Sequence, residues 1–295
     1  MITTELIKNL RERTGAGMLD CKKALVECNG DLDKATDWLR EKGIAKAAKK
    51  ADRIAAEGLT TIVTDGNYAL ICEVNSETDF VAKNEKFVNF VNDVANAALK
   101  ARATTLEEAL NAPLNGGTVN DAIVSNTATI GEKLSLRRIT LVEKTSNETF
   151  GSYLHMGGKI GAVCVLSNTD NTDAAKDVAM HVAASSPLYT NTTDIPANEV
   201  EKELHIQKMA ALNDEKLKDK PEAALTKILE GKINKWKAEI SLVEQPFVKD
   251  PSLSVGKFVS KFGATVKTFV RFAVGEGLQK REDNFAEEVM NQVGK

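Results

Sequence analysis

The sequence predicts an α+β fold, and three patterns predict it. Apolar residues recur at helical spacing through residues 1–43, the period changes to two from Leu59, and the order hairpin, helix, helix, strand then runs through the chain twice. A pair of helices interrupts the second run.

In residues 1–43, Leu6, Ile7 and Leu10 share one face, a loop follows at TGAGM (Thr14 to Met18), and Leu19, Ala24, Leu25 and Cys28 continue a helical phase. Asn29 and Gly30 suit a left-handed helix end, Asp31 suits the next N-cap, and Leu32, Ala35 and Leu39 recur before Gly43, which is expected to stop the third helix. A three-helix bead of this size buries little surface and is suited to docking. Residues 44–57 are Ala-rich and basic, with Lys46, Lys49, Lys50 and Arg53 on no common helical face. A phosphate contact and a solvated helical linker are both open readings.

A first core subdomain is expected over residues 58–145. Leu59 to Val63 and Tyr68 to Val74 form a hairpin around Asp65-Gly66. A helix follows with Phe87, Val91, Val94 and Ala98 on one stripe, a second spans Val119 to Lys133, and the strand Leu134 to Glu143 closes the unit. Residues 146–277 repeat the order. Gly151 to Met156 and Lys159 to Leu166 form the hairpin, Asp173 to Ser185 and Ser254 to Phe262 the helices, and Thr265 to Val274 the last strand. The insertion, residues 187–236, places Val200, Leu204 and Ala211 in phase, turns near Asp219 to Pro221, and returns with Leu225, Ile228, Leu229, Ile233 and Trp236. Two helices joined by a short polar turn predict an antiparallel hairpin that projects from the sheet; two helices laid on the subdomain are the alternative. Residues 278–295 predict a terminal helix, with Asn284 and Glu287 at capping spacing and Phe285, Val289 and Val293 on a narrow stripe.

At 295 residues, 42% hydrophobic and 27% charged, the chain has room for about two domains of ordinary globular composition. A net charge of -3 gives no general pull toward nucleic acid. No secretory pattern or membrane-spanning run occurs, so a cytoplasmic protein is expected. Cys21, Cys28, Cys72 and Cys164 are scattered, as are His155, His181 and His205, and form no zinc-ligand pattern. MGGKIG, Met156 to Gly161, has Ile160 where a phosphate loop needs Ser or Thr, and reads as a hairpin turn. His181 reads as a packing histidine. No catalytic residue, metal site or cofactor is expected.

Two long strings carry a resemblance. LRERTGAGMLDCKKAL, Leu10 to Leu25, and EVNSETDFVAKN, Glu73 to Asn84, resemble the two signatures of the bacterial elongation factor Ts family, and IGEKL at Ile130, MHVAAS at Met180, QPFVKDPS at Gln245 and RFAVGEG at Arg271 follow in the family's order. The resemblance implies a ubiquitin-associated-like (UBA-like) first domain, a two-subdomain core, a helical hairpin and a C-terminal module. It also implies guanine-nucleotide exchange on elongation factor Tu, with no direct nucleotide binding by this chain. By the same resemblance Thr78, Asp79, Phe80 and Val81 would disturb the partner's magnesium and phosphate site, with Met18, Leu19 and His155 as further contacts. A UBA-like adaptor or RNA-binding scaffold, and an α+β enzyme, are the competing classes.

The residues themselves leave Phe80 undecided. If one helix ran unbroken from Thr78, Phe80 would lie in phase with Phe87 and be buried. If Asn84 caps the helix, Thr78 to Lys83 is a turn and Phe80 can face outward. The resemblance implies the second.

Overall fold

A computed structural model of the chain describes residues 2–214, 217 and 221–279. Helices α1 (Thr4–Thr14), α2 (Met18–Glu27) and α3 (Leu32–Ala48) pack around Leu10, Cys21, Ala24, Leu25 and Ala35. Asn29 and Gly30 take the expected positive φ, 52° and 82°, and the Asp31 carboxylate accepts the N–H of Asp33 and Lys34. Gly43 does not stop α3, which runs on to Ala48. A Cβ at Gly43 would stand 3.5 Å from the Ala128 methyl, so this glycine marks a close approach to a neighbouring helix.

Strands β1 (Glu57–Asp65) and β2 (Tyr68–Ser76) are joined by Gly66-Asn67 and lead into α4 (Asp79–Ala82) and α5 (Glu85–Lys100). A short α6 (Leu106–Asn111) and a small hairpin, β3 (Pro113–Leu114) with β4 (Gly117–Thr118), precede α7 (Val119–Ile130) and β5 (Ser135–Glu143). The second unit comprises β6 (Glu148–His155), β7 (Ile160–Ser167) and α8 (Thr172–Ser185). The inserted α9 (Ala197–Asn213) and α10 (Glu222–Ile240) come next. The ribbon β8 (Pro246–Phe247) and β9 (Asp250–Ser254), then α11 (Val255–Ser260) and β10 (Thr265–Ala273), complete it.

Both three-stranded sheets are antiparallel with the second strand of the hairpin central: β1-β2-β5 and β10-β7-β6. Their central strands are buried on both faces, and the period of two sorts the side chains. Leu70, Cys72 and Val74 of β2 face α5 and its neighbours, while Ala69 and Ile71 join Val163, Val165 and Phe272 of the other sheet. Ala162, Cys164 and Leu166 of β7 face α8 and α11. The sheets therefore pack face to face, with helices on both outer sides. This explains why the two apolar runs lack polar alternation.

Helices α9 and α10 pack on one another and bury only Ala211, Leu229 and Ile233, as a projecting hairpin does. Most of the turn expected at Asp219 to Pro221 lies outside the described residues, as does the terminal helix expected around Asn284, Phe285, Glu287, Val289 and Val293. No helix among the described residues is long and apolar enough to cross a membrane.

All four thiols are free. Burial pushes the Cys72 and Cys164 thiols up to about 12, and only Cys28 is part-exposed. Since the thiolate is the nucleophile, a thiol reagent at neutral pH is expected to label Cys28 first and Cys72 and Cys164 only in denaturant. Equal labelling rates for all four in the native protein would contradict this packing.

Candidate functional site

The residues Thr78 to Val81 begin where β2 ends. Helix α4 is one isolated turn: Thr78 Oγ1 accepts the Val81 N–H at 3.4 Å, and the chain breaks at Lys83. Asn84 then caps a new helix by accepting the Lys86 N–H at 2.9 Å. The unbroken helix from Thr78 does not form: Asn84 caps α5 as the second reading expected, and the stretch before it is a single helical turn starting at Asp79. The break resets the phase. Ala82 and Val81 lie against the first core, Phe87 starts the buried stripe of α5 anew, and Phe80 is 82% exposed.

Asp79 is not a free charge. Its Oδ2 accepts from Lys83 Nζ at 2.6 Å, one helical turn on, and this hydrogen bond holds the carboxyl below its usual range, with Lys159 adding to the effect. Lys83 is raised in turn by the same bond. Lys159 Nζ meets Glu57 Oε2 at 2.5 Å, so opposite charges alternate beside the Asp79–Lys83 pair.

Lys159 also links this turn to the next feature, the β6–β7 turn that carries His155. Thr60 on β1 donates both its N–H (2.7 Å) and its hydroxyl (2.9 Å) to the Gly158 carbonyl. Gly158 has φ +97°, and a Cβ there would stand 2.7 Å from the Thr60 carbonyl oxygen, so only glycine permits this docking. The turn holds out His155, whose Nδ1 lies 3.4 Å from the Tyr153 hydroxyl, beside Met156, 72% exposed, and Leu154. The structure therefore sets the turn that carries Asp79 and Phe80 and the turn that carries His155 both against β1. Met156 and Leu154 add apolar surface there that the sequence did not single out.

Met18 and Leu19 stand apart, at the start of α2 on the three-helix unit, with Leu19 84% exposed. The basic stretch, which begins in the last turn of α3 and runs past its end, is largely engaged within the chain. Lys46 pairs with Asp20 at 3.1 Å, Lys50 donates to the Gly131 carbonyl at 2.5 Å, and Arg53 pairs with Glu77 at 3.3 Å. A cleft of about 910 Å³ lies between the three-helix unit and α7, but its Arg40–Asp121 and Lys46–Asp20 groups neutralise one another at 2.9 and 3.1 Å. It gives the enzyme class no convergent reactive groups. His181 is buried, with Nε2 2.9 Å from Gln245 Oε1 and Nδ1 accepting the Val248 N–H, the packing role expected of it. Among the described residues, no three His, Cys, Asp or Glu side chains are placed to hold a metal ion.

One residue the sequence reading passed over joins the first sheet to the end of the last strand. Glu73, fully buried on β2, accepts from Arg137 at 3.0 Å, Arg138 at 2.6 Å, Asn75 at 3.0 Å and the Gly275 N–H at 2.9 Å. Neighbouring strand residues normally face opposite ways; the register shift opposite Glu73 and Val74 makes Arg137 an extra residue, and both guanidiniums reach one carboxylate. Gly275, φ +73°, can present its N–H because a Cβ would stand 2.3 Å from the Ala56 carbonyl oxygen. The signal was an acid inside an apolar strand, with paired arginines in the strand beside it.

The comparison with protein families agrees with this architecture. A family model described as elongation factor TS matches residues 77–276, which takes in the α4 turn, both sheets' closing strands and the inserted helices. The chain thus belongs to the elongation factor Ts family, a family of translation elongation factors.

Proposed function

We propose that this chain binds elongation factor Tu carrying GDP, promotes release of the GDP, and holds the nucleotide-free GTPase until GTP enters. The observation that carries the reading is Phe80, 82% exposed on a turn whose neighbours Val81 and Ala82 are anchored in the core. A large apolar ring costs solubility when left in water, and this one follows an acid in the sequence, Asp79, that is held by Lys83. The surroundings suit a wedge with polar flanks. Cytoplasmic action follows from the partner.

Exchange of this kind needs no acid-base side chain. The factor must bind the empty GTPase more tightly than the loaded one, and linkage then weakens the nucleotide by the same factor. A ten-thousand-fold weakening requires about 5.5 kcal/mol of differential binding. Burying one Phe supplies only about 1.5–3 kcal/mol. Further anchors are needed, and Met18 and Leu19 on the three-helix unit, with His155 on the β6–β7 turn, are the proposed ones. In this reading Phe80 enters the region of the partner's magnesium ion, and Asp79 leaves Lys83 to disturb the ion's surroundings. Loss of the ion weakens phosphate binding because it neutralises phosphate oxygens.

The test is release of fluorescent GDP from elongation factor Tu, with this chain added at substoichiometric amounts. A release rate that climbs with added chain is expected. No acceleration at several-fold excess would remove the reading.

A further inference from the structure

The turn that carries Phe80 is too short to hold itself. A four-residue helix is far below the length at which helices persist alone, and the cap on it is the Thr78 hydroxyl, which accepts the Val81 N–H. The residues that lead into it, Glu77 and Thr78, are held from a distant loop. Glu132, just after α7, accepts the N–H of Glu77 at 3.1 Å and of Thr78 at 3.0 Å through Oε2, and the Thr78 hydroxyl at 2.6 Å through Oε1. Glu77 answers from the other side: its Oε1 accepts the Lys133 N–H at 2.6 Å, and its carboxylate pairs with Arg53 at 3.3 Å. Two neighbouring loops are thereby locked by reciprocal carboxylate bonds.

We infer that Glu132 is a positioning residue for nucleotide exchange, setting the direction in which Thr78, and through it α4, presents Asp79 and Phe80. The inference rests on the exchange reading above. Val81 and Ala82 fix one side of α4 against the core, and Glu132 fixes its start. Without the carboxylate Thr78 keeps, outside its own turn, only the Ser76 hydroxyl on its carbonyl, and Glu77 its bonds to Lys133 and Arg53; the start of the turn loosens, and Phe80, with no contacts of its own in the core, loosens with it. Misplacement by about 1 Å can cost up to about a hundredfold in rate.

The chemistry distinguishes substitutions. In Glu132→Gln the amide oxygen can take the two N–H groups, and the Thr78 hydroxyl can reverse and accept from the amide nitrogen, since a hydroxyl both donates and accepts. Glu132→Ala retains none of the three bonds. The experiment measures GDP release from elongation factor Tu across a range of Tu·GDP concentrations for the native chain and both variants, with amide hydrogen exchange of the free proteins. Glu132→Ala is expected to lower the saturating rate about tenfold, to leave KM within about twofold, and to lose amide protection at Glu77 and Thr78. Glu132→Gln is expected to recover most of the rate and protection. With the native chain active, a Glu132→Ala variant of unchanged saturating rate, a loss confined to KM, or a Glu132→Gln variant as slow as Glu132→Ala overturns the proposal alone. A native chain without exchange activity removes the reading on which it stands, and the proposal with it.

Discussion

Replacing Asp79 and Phe80 together by Ala is expected to slow GDP release from elongation factor Tu by about 10- to 150-fold at a fixed concentration of the chain, the rate equivalent of about 1.5–3 kcal/mol for one buried Phe. Stability is expected to change little. Phe80 is 82% exposed and touches no core cluster, and substitutions at such positions usually stay within about 0.5 kcal/mol. Removing Asp79 frees Lys83 but breaks no bond to another element. Stopped-flow release of fluorescent GDP, beside thermal unfolding, checks both halves. A double variant as fast as the native chain would remove the wedge from the mechanism. A double variant that unfolds early would instead show that the turn is part of the core.

The second large effect is on stability, at Glu73. Its removal leaves the Gly275 N–H without its acceptor, and leaves Arg137 with the Glu276 carbonyl and Arg138 with the Ala273 carbonyl and the more distant Glu276 carboxylate, both guanidiniums largely buried and short of the carboxylate that balances their charge. Breaking a buried ion pair by deleting one partner costs about 3–5 kcal/mol, a large share of the roughly 5–15 kcal/mol that holds a typical domain. Glu73→Ala is therefore expected to lower the urea midpoint sharply. The pH dependence has a definite sign. Burial raises the Glu73 pKa, but bonds from the Gly275 N–H, the Asn75 amide, Arg137 and Arg138 outweigh it and bring the group below its ordinary 4.5. The stabilisation is then complete above about pH 4.5 and is lost as pH falls through the depressed folded value. Glu73→Gln should flatten that acid limb. Identical acid unfolding of the variant and the native chain would contradict the assignment.

Much of the fold was legible because periodicity reports burial. The stripe Phe87, Val91, Val94 and Ala98 is the buried face of α5, and Asn29, Gly30 and Asp31 end one helix and start the next. Some misses had readable signals. The small hairpin β3–β4 turns at Asn115-Gly116, with φ of 52° and 80°, an Asn-Gly pair of the kind that favours such turns, and Thr105 with Glu108 forms a capping box at the start of α6. Gly43 misled because glycine both ends helices and admits close neighbours, and the sequence holds no sign of Ala128 beside it. The candidate site was legible only in part. Two helix starts six residues apart compete on equal local terms, and only tertiary packing of Val81 and Ala82 decides where Phe80 faces. Glu132 was beyond reach for another reason. It lies 54 residues from Thr78 along the chain, and a carboxylate after a helix-ending glycine has no local mark of its partner.

The interruption at Lys83 and Asn84 separates what the molecule needs in order to fold from what it displays. Because the buried stripe restarts at Phe87, the identities of Asp79 and Phe80 carry almost no packing duty. In engineering terms the segment is an interchangeable tip on a fixed mount. Libraries confined to these two positions should yield folded members throughout, and selectivity among GTPases could be retuned without redesigning the scaffold.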